Sequence, residues 1–170
     1  MILQLVNTPG WETTDTSSVE TTGSGAASLP PDLRAKFQSK MNAFFLQGFG
    51  SSESVRVPPP FPHDPRRKST SHLNKLSQTL MITGTMRENS IPGYKPVEKS
   101  VGLLMPGLQA RIIREDGTDG GVGEPGELWV KGDNVFQGYF NDEEATAKTF
   151  TKDGWLKTGD ILTVDENGNF

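Results

Sequence analysis

Gln47–Glu53 reads Gln-Gly-Phe-Gly-Ser-Ser-Glu, and each of these residue types has a chemical use. Glycines at 48 and 50 let backbone approach a ligand closely and take turns that a side chain would forbid. Phe49 between them offers a flat apolar face for a base, and Ser51 and Ser52 offer hydroxyls to phosphate oxygens. Glu53 supplies the hard oxygen that a cation such as Mg²⁺ prefers. A nucleotide would find all its needs here, although a glycine–serine stretch by itself more often marks an ordinary turn. Gly23–Ser28, Gly-Ser-Gly-Ala-Ala-Ser, has the same two readings. It is a flexible small-residue loop, or a wall where Gly25, Ala26 and Ala27 leave room for a planar ligand. It is no P-loop, because no lysine follows the glycines and the next basic residue is Arg34. In Gly154–Asp160, Gly-Trp-Leu-Lys-Thr-Gly-Asp, Asp160 either bonds its own turn or accepts both hydroxyls of a ribose. Lys157 reads as a solvated charge.

Other chemistries find little support. The chain has no cysteine, which removes disulfides and thiolate chemistry. No Ser/His/Asp arrangement is brought together by periodicity, and His63 and His72 do not form a metal-ligand set. A net charge of −4 gives no general reason to expect nucleic acid or an acidic membrane as partner. No apolar run approaches the roughly 18 residues of a membrane helix, and the first residues lack the basic start of a secretory signal. A cytoplasmic location fits best.

The charge is unevenly spread. Val55–Gln78 holds five of the 17 Lys and Arg, five of the 12 prolines and both histidines, against one acid, Asp64. This basic, proline-laden tract has one aromatic, Phe61, and no stacking pattern for nucleic acid. The other residues carry 12 bases and 20 acids. Two compositions share one chain.

The elements that must position these motifs divide into an α/β front and a β-rich back. The first 22 residues read as a helix end and a loop, followed by a glycine-rich strand-to-turn crossing. Leu33, Phe37, Met41, Phe44 and Phe45 recur at helical spacing behind Pro31 and Asp32, which suit a first turn. The end of that run, Phe44–Gly50, reads alternatively as a strand entering the glycine turn, and the run has room for both elements in succession. Beyond the basic tract, Thr79–Met86 has strand character, and from Val101 short strands alternate with turns. Asn141 is the expected cap of a short helix over Asn141–Phe150, and Gly154–Phe170 reads as a closing hairpin turned at Asp165–Asn169. Trp129, Val130, Phe136, Tyr139 and Phe140 read as core without chemistry.

Order and spacing add what the single motifs lack. Gly23–Ser28, a helix, Gln47–Glu53, Gly123–Thr146 and Asp153–Asp160 together resemble the adenylate-forming superfamily, the acyl-CoA synthetase, 4-coumarate–CoA ligase and luciferase-like group. The resemblance covers nearly all of the chain outside Val55–Gln78. It implies part of the N-terminal domain: the end of an α/β subdomain over 1–54 and a distorted β-barrel subdomain over 79–170. It implies an ATP-dependent ligase that converts a carboxylic acid to acyl-AMP and passes the acyl group to CoA. Gly25, Ala26 and Ala27 would then border the adenine and acyl pocket, and Gln47, Gly48 and Phe49 would cover it. Gly50 and Ser51 continue the nucleotide-facing turn, Ser52 takes the usual threonine position at the α-phosphate, Glu53 stands near Mg²⁺, and Asp160 binds the ribose. Ser52 and Phe49, commonly threonine and tyrosine, keep the hydroxyl and the ring.

The same resemblance implies that the phosphate loop lies upstream and that the hinge and C-terminal domain lie beyond Phe170. The isolated chain is therefore expected to be inactive. A peroxisomal address would go unread at such an end. Val55–Gln78 has no place in the family pattern: removing its 24 residues joins Ser54 to Thr79 in frame, which suggests a translated intron in a eukaryotic gene, or else an insertion loop. The readings set against a ligase are a non-catalytic AMP-binding module and an unstable gene-model fragment.

Overall fold

Pro31 fits the first turn of a helix because its missing N–H and fixed φ cost nothing there. The computed structural model, which describes residues 2–25, 29–54, 81–88, 90–97 and 99–170, begins α2 at that proline. Ala26, Ala27 and the tract Val55–Gln78 lie outside the described residues. In chain order the elements are α1 (Ile2–Val6), β1 (Thr21–Ser24), α2 (Pro31–Lys40), β2 (Phe44–Phe49), β3 (Thr83–Gly84), β4 (Leu103–Leu104), β5 (Leu108–Ile113), β6 (Gly126–Gly132), α3 (Glu143–Thr149) and β7 (Leu156–Leu162). Single 3₁₀ turns occupy Trp11–Thr13 and Ser52–Ser54.

The two readings of the run after Pro31 are both realised, in succession. α2 stops at Lys40 and Met41 turns extended, so Phe44 and Phe45 belong to β2. Burial decides this. Phe37 from α2 and Phe45 from β2 meet edge to face at 6.0 Å, and Phe37 stacks on Trp11 at 5.6 Å. With Val6 these residues form the first buried cluster. A helix continued through Phe45 would forfeit the pairing of β2 with β1, which runs parallel in the register Thr21↔Phe44 to Ser24↔Gln47. α2 makes the crossover that a parallel pair requires.

The first sheet has the order β1-β2-β3-β4, with β2–β3 and β3–β4 antiparallel. The second is the antiparallel β5-β6-β7. The larger core gathers Ile82 beside β3 with Leu108, Ile112, Leu128, Val130, Val135 and Leu156, so the sheets share one apolar body. The expected fold class, an α/β front with a β-rich back, is the observed one.

Several local expectations are corrected. The strand expected over Thr79–Met86 shrinks to Thr83–Gly84 among its described residues. Gly102 crosses it with φ +94°, and a Cβ there would overlap the backbone of Gly84, so this crossing demands glycine. Asp142, not Asn141, caps α3: its carboxylate accepts the N–H of Ala145 at 2.8 Å, while Asn141 sits in the left-handed region at φ 54°. The turn at Asp165–Asn169 forms, but the chain leaving it bridges Leu103 instead of returning along β7. β7 pairs with β6. Among the five residues read as core, Val130 is fully buried and Trp129 and Phe136 are half-buried, but Tyr139 is 40% and Phe140 94% exposed.

Candidate functional site

β1 and β2 run side by side toward the same end, which brings two of the sequence motifs together. Gly25 follows the last residue of β1, and a Cβ on it would stand 3.7 Å from the carbonyl oxygen of Gly48. That is ordinary contact, so packing does not demand glycine at position 25. Gly48 is tighter, because a Cβ would overlap the methyl end of Met81 and stand 3.1 Å from the Thr83 carbonyl oxygen.

Gln47 is fixed from both sides. Its backbone N–H donates to the hydroxyl of buried Thr85 at 2.7 Å, and its carbonyl accepts the N–H of Thr85 at 2.8 Å. Its side-chain oxygen accepts from the Arg34 guanidinium at 3.4 Å, while that guanidinium lies over the Phe45 ring at 5.2 Å. Phe49 packs against the larger core, which leaves less of its ring for a base than the sequence reading supposes. Gly50 and Ser51 are half-buried and Ser52 is exposed at the start of its 3₁₀ turn.

Glu53 is where the two halves of the chain meet. Its carboxylate Oε1 accepts a hydrogen bond from the Tyr139 hydroxyl at 2.8 Å, and its carbonyl accepts the N–H of Phe136 at 2.9 Å. The phenol holds the carboxyl below its ordinary range. Partial burial opposes this, and its own backbone and the Ser51 hydroxyl assist. The same bond pushes the Tyr139 phenol up. Tyr139 is itself held: its N–H donates to Thr146 Oγ1 at 2.9 Å, and its ring meets Phe136 edge to face at 5.0 Å. Thr146 lies on α3, so the Asp142 cap also steadies this corner. The aromatic pattern gave Tyr139 no chemistry because its partner lies 86 residues away. Only a pairing across that separation could have revealed it.

Asp160 stands on a different sheet, exposed on β7. Its N–H donates to Thr158 Oγ1 at 3.2 Å, and the preceding Gly159 has φ +76° and donates to Glu127 Oε1 at 3.0 Å. These bonds use backbone N–H groups and leave the Asp160 carboxylate out, on an exposed residue of a strand. Lys157 is half-buried opposite Trp129 rather than fully solvated. Among the described residues no three His, Cys, Asp or Glu side chains form a metal cage, and no helix is long and apolar enough to cross a membrane.

The fold has known counterparts. The model of the AMP-binding enzyme family matches residues 1–140, and the chain belongs to that family. It is 35% identical over 159 residues to "Probable 4-coumarate--CoA ligase 1" of Dictyostelium discoideum, covering 92% of this chain and 23% of that protein. With "4-coumarate--CoA ligase 4" of Arabidopsis thaliana it shares 34% over 169 residues, 98% of this chain and 25% of that one. The ATP-bound RpMatB-BxBclM chimera superposes with a TM-score of 0.74 at 26% identity, over 99% of this chain and 28% of the chimera. The chain spans about a quarter of the length of these curated relatives. These curated relatives carry CoA-ligase names.

Proposed function

We propose that these residues form the adenylate-facing part of an ATP-dependent acyl–CoA ligase. In its first half-reaction a carboxylate oxygen of the acid bonds to the α-phosphorus of ATP, the bond to the bridging oxygen breaks, and pyrophosphate leaves. In the second, the CoA thiol loses its proton and its sulfur attacks the acyl carbon, expelling AMP. Substitution at phosphorus depends on placement and charge neutralisation more than on covalent help from the protein. The observation that carries this reading is that the ends of β1 and β2 lie side by side, with the glycine turn and Glu53 following directly on β2.

In this reading Gly25 with Ala26 and Ala27 borders the adenine and acyl group, and Gln47, Gly48 and Phe49 cover it. Gly50, Ser51 and Ser52 take the phosphate, and Asp160 the ribose hydroxyls. The donor set at Glu53, one carboxylate beside serine hydroxyls, fits a Mg²⁺ that arrives on nucleotide phosphates, which usually needs only one or two protein carboxylates. Bound there, the ion would neutralise phosphate charge.

Calorimetric titration of AMP into the chain tests the site. Saturable binding is expected, weakened about tenfold by Asp160→Ala, in keeping with the loss of a charged hydrogen-bond partner. Absence of AMP binding overturns the reading. Chain that binds AMP but gives no pyrophosphate exchange across a panel of carboxylic acids would be an AMP-binding module without turnover.

A further inference from the structure

We propose that Tyr139 is a positioning residue for Glu53, orienting its carboxylate toward a nucleotide-borne divalent cation. The inference deepens the adenylate reading and rests on it. The loop after β6 grips Glu53 twice, once through the Phe136 N–H on its carbonyl and once through the Tyr139 hydroxyl on Oε1. The first bond fixes where the residue's backbone sits. The second fixes the rotation of its side chain, which would otherwise sample several rotamers.

The grip is itself rigid. Phe136 lies against the larger core and stacks at a tilt on Phe150, 5.4 Å away. Gly138, with φ +142°, lets the chain pass so close to Thr146 that a Cβ would collide with that side chain. Tyr139 then leaves this turn with its N–H on Thr146 and its ring against Phe136. Backbone, ring and hydroxyl are each committed before any ligand arrives. One carboxylate oxygen is spent on the phenol, so the face that Glu53 presents is set by the β-rich half of the chain. Carboxylates that ligate metals are commonly held by such outer partners, whose loss costs about 10- to 100-fold in metal affinity.

Tyr139→Phe removes only the hydroxyl and leaves the ring contact and both backbone bonds. ATP is titrated into the full chain with and without Mn²⁺, in wild type, Tyr139→Phe, Glu53→Gln and the double variant. Tyr139→Phe is expected to weaken manganese–ATP binding about 10-fold, the low end of that range because the bond is solvent-accessible. Metal-free ATP affinity and the unfolding midpoint should stay at wild-type values, and in the Glu53→Gln background the same change should have no further effect. An unchanged manganese–ATP affinity overturns the proposal, as does an equal loss in the Glu53→Gln background or for metal-free ATP. Wild-type chain that binds ATP equally with and without Mn²⁺ overturns it while the adenylate reading stands. Chain that binds neither form overturns both.

Discussion

Asp165 carries the closing turn of the chain on one side chain. Its Oδ1 accepts the N–H groups of Asn167 at 2.9 Å and Asn169 at 2.8 Å, and both its oxygens accept from the Asn169 amide. Burial works against the charge, but these donors together hold the carboxyl below its ordinary value of 3.8. A carboxyl lowered in the folded state adds stability above its unfolded value, and that stability is lost as pH falls through the lowered folded value. Acidification below about pH 4 is therefore expected to release the Asn167 and Asn169 amides before the β5-β6-β7 sheet opens. Hydrogen exchange between pH 5 and 2 would record it, and Asp165→Asn should flatten the dependence. Gly102 makes the second prediction at this scale. Gly102→Ala forces both a strained φ and an overlap with Gly84, and should cost about 3 kcal/mol in denaturant unfolding. A cost below about 1 kcal/mol would mean the β3–β4 crossing is far looser than drawn.

Among the elements, legibility followed the range of the forces involved. The start of α2 was readable because Pro31 and Asp32 act within one turn. Its end was readable only as one of two alternatives, because Met41, Phe44 and Phe45 continue a helical period and the pairing with Thr21–Ser24 is what draws Phe44 and Phe45 into β2. The α3 cap was off by one residue, since Asn and Asp are both good caps and the φ of Asn141 is set by the Gly138–Asp142 turn. At the proposed site, residue type alone singled out the glycine turn and Glu53 as candidates. Thr85, Arg34 and Tyr139 were not singled out, because each reaches its partner from a different element and carries no local signature.

Across the whole molecule two cores are joined through β2, which places Phe45 in one and Phe49 against the other. Phe37→Ala should weaken the first by about 3–5 kcal/mol and separate their unfolding. Trp11 reports on the first core, while Trp129 and Trp155 belong to the β5-β6-β7 side. Fluorescence of single-tryptophan variants should show Trp11 released at lower denaturant, and coincident curves would deny the separation. Removal of Val55–Gln78 is the complementary test. It leaves eight residues, Gly50–Ser54 and Thr79–Met81, between Phe49 and Ile82, whose backbones already pair at 2.8 Å. Shortening that connection from 32 to eight residues lowers the loop-closure cost by roughly 1.2 kcal/mol, two halvings at about 0.6 each. Denaturant unfolding of the shortened chain should show a gain of about that size. A loss of stability would show that the tract contributes contacts of its own.

β2 has neighbours of opposite sense on its two edges, β1 alongside and β3 against it. A strand bordered on one edge can slide by a residue and re-pair, turning every side chain over. Here such a slide would expel Phe45 from one core, swing Phe49 away from the other, and drive a side chain into the space that Gly48 keeps for Met81. The strand is therefore phase-locked like a vernier, by two scales that agree at only one setting. Glu53 sits four residues past that lock, so its alignment is inherited from the packing of both cores and is not a property of the loop that carries it.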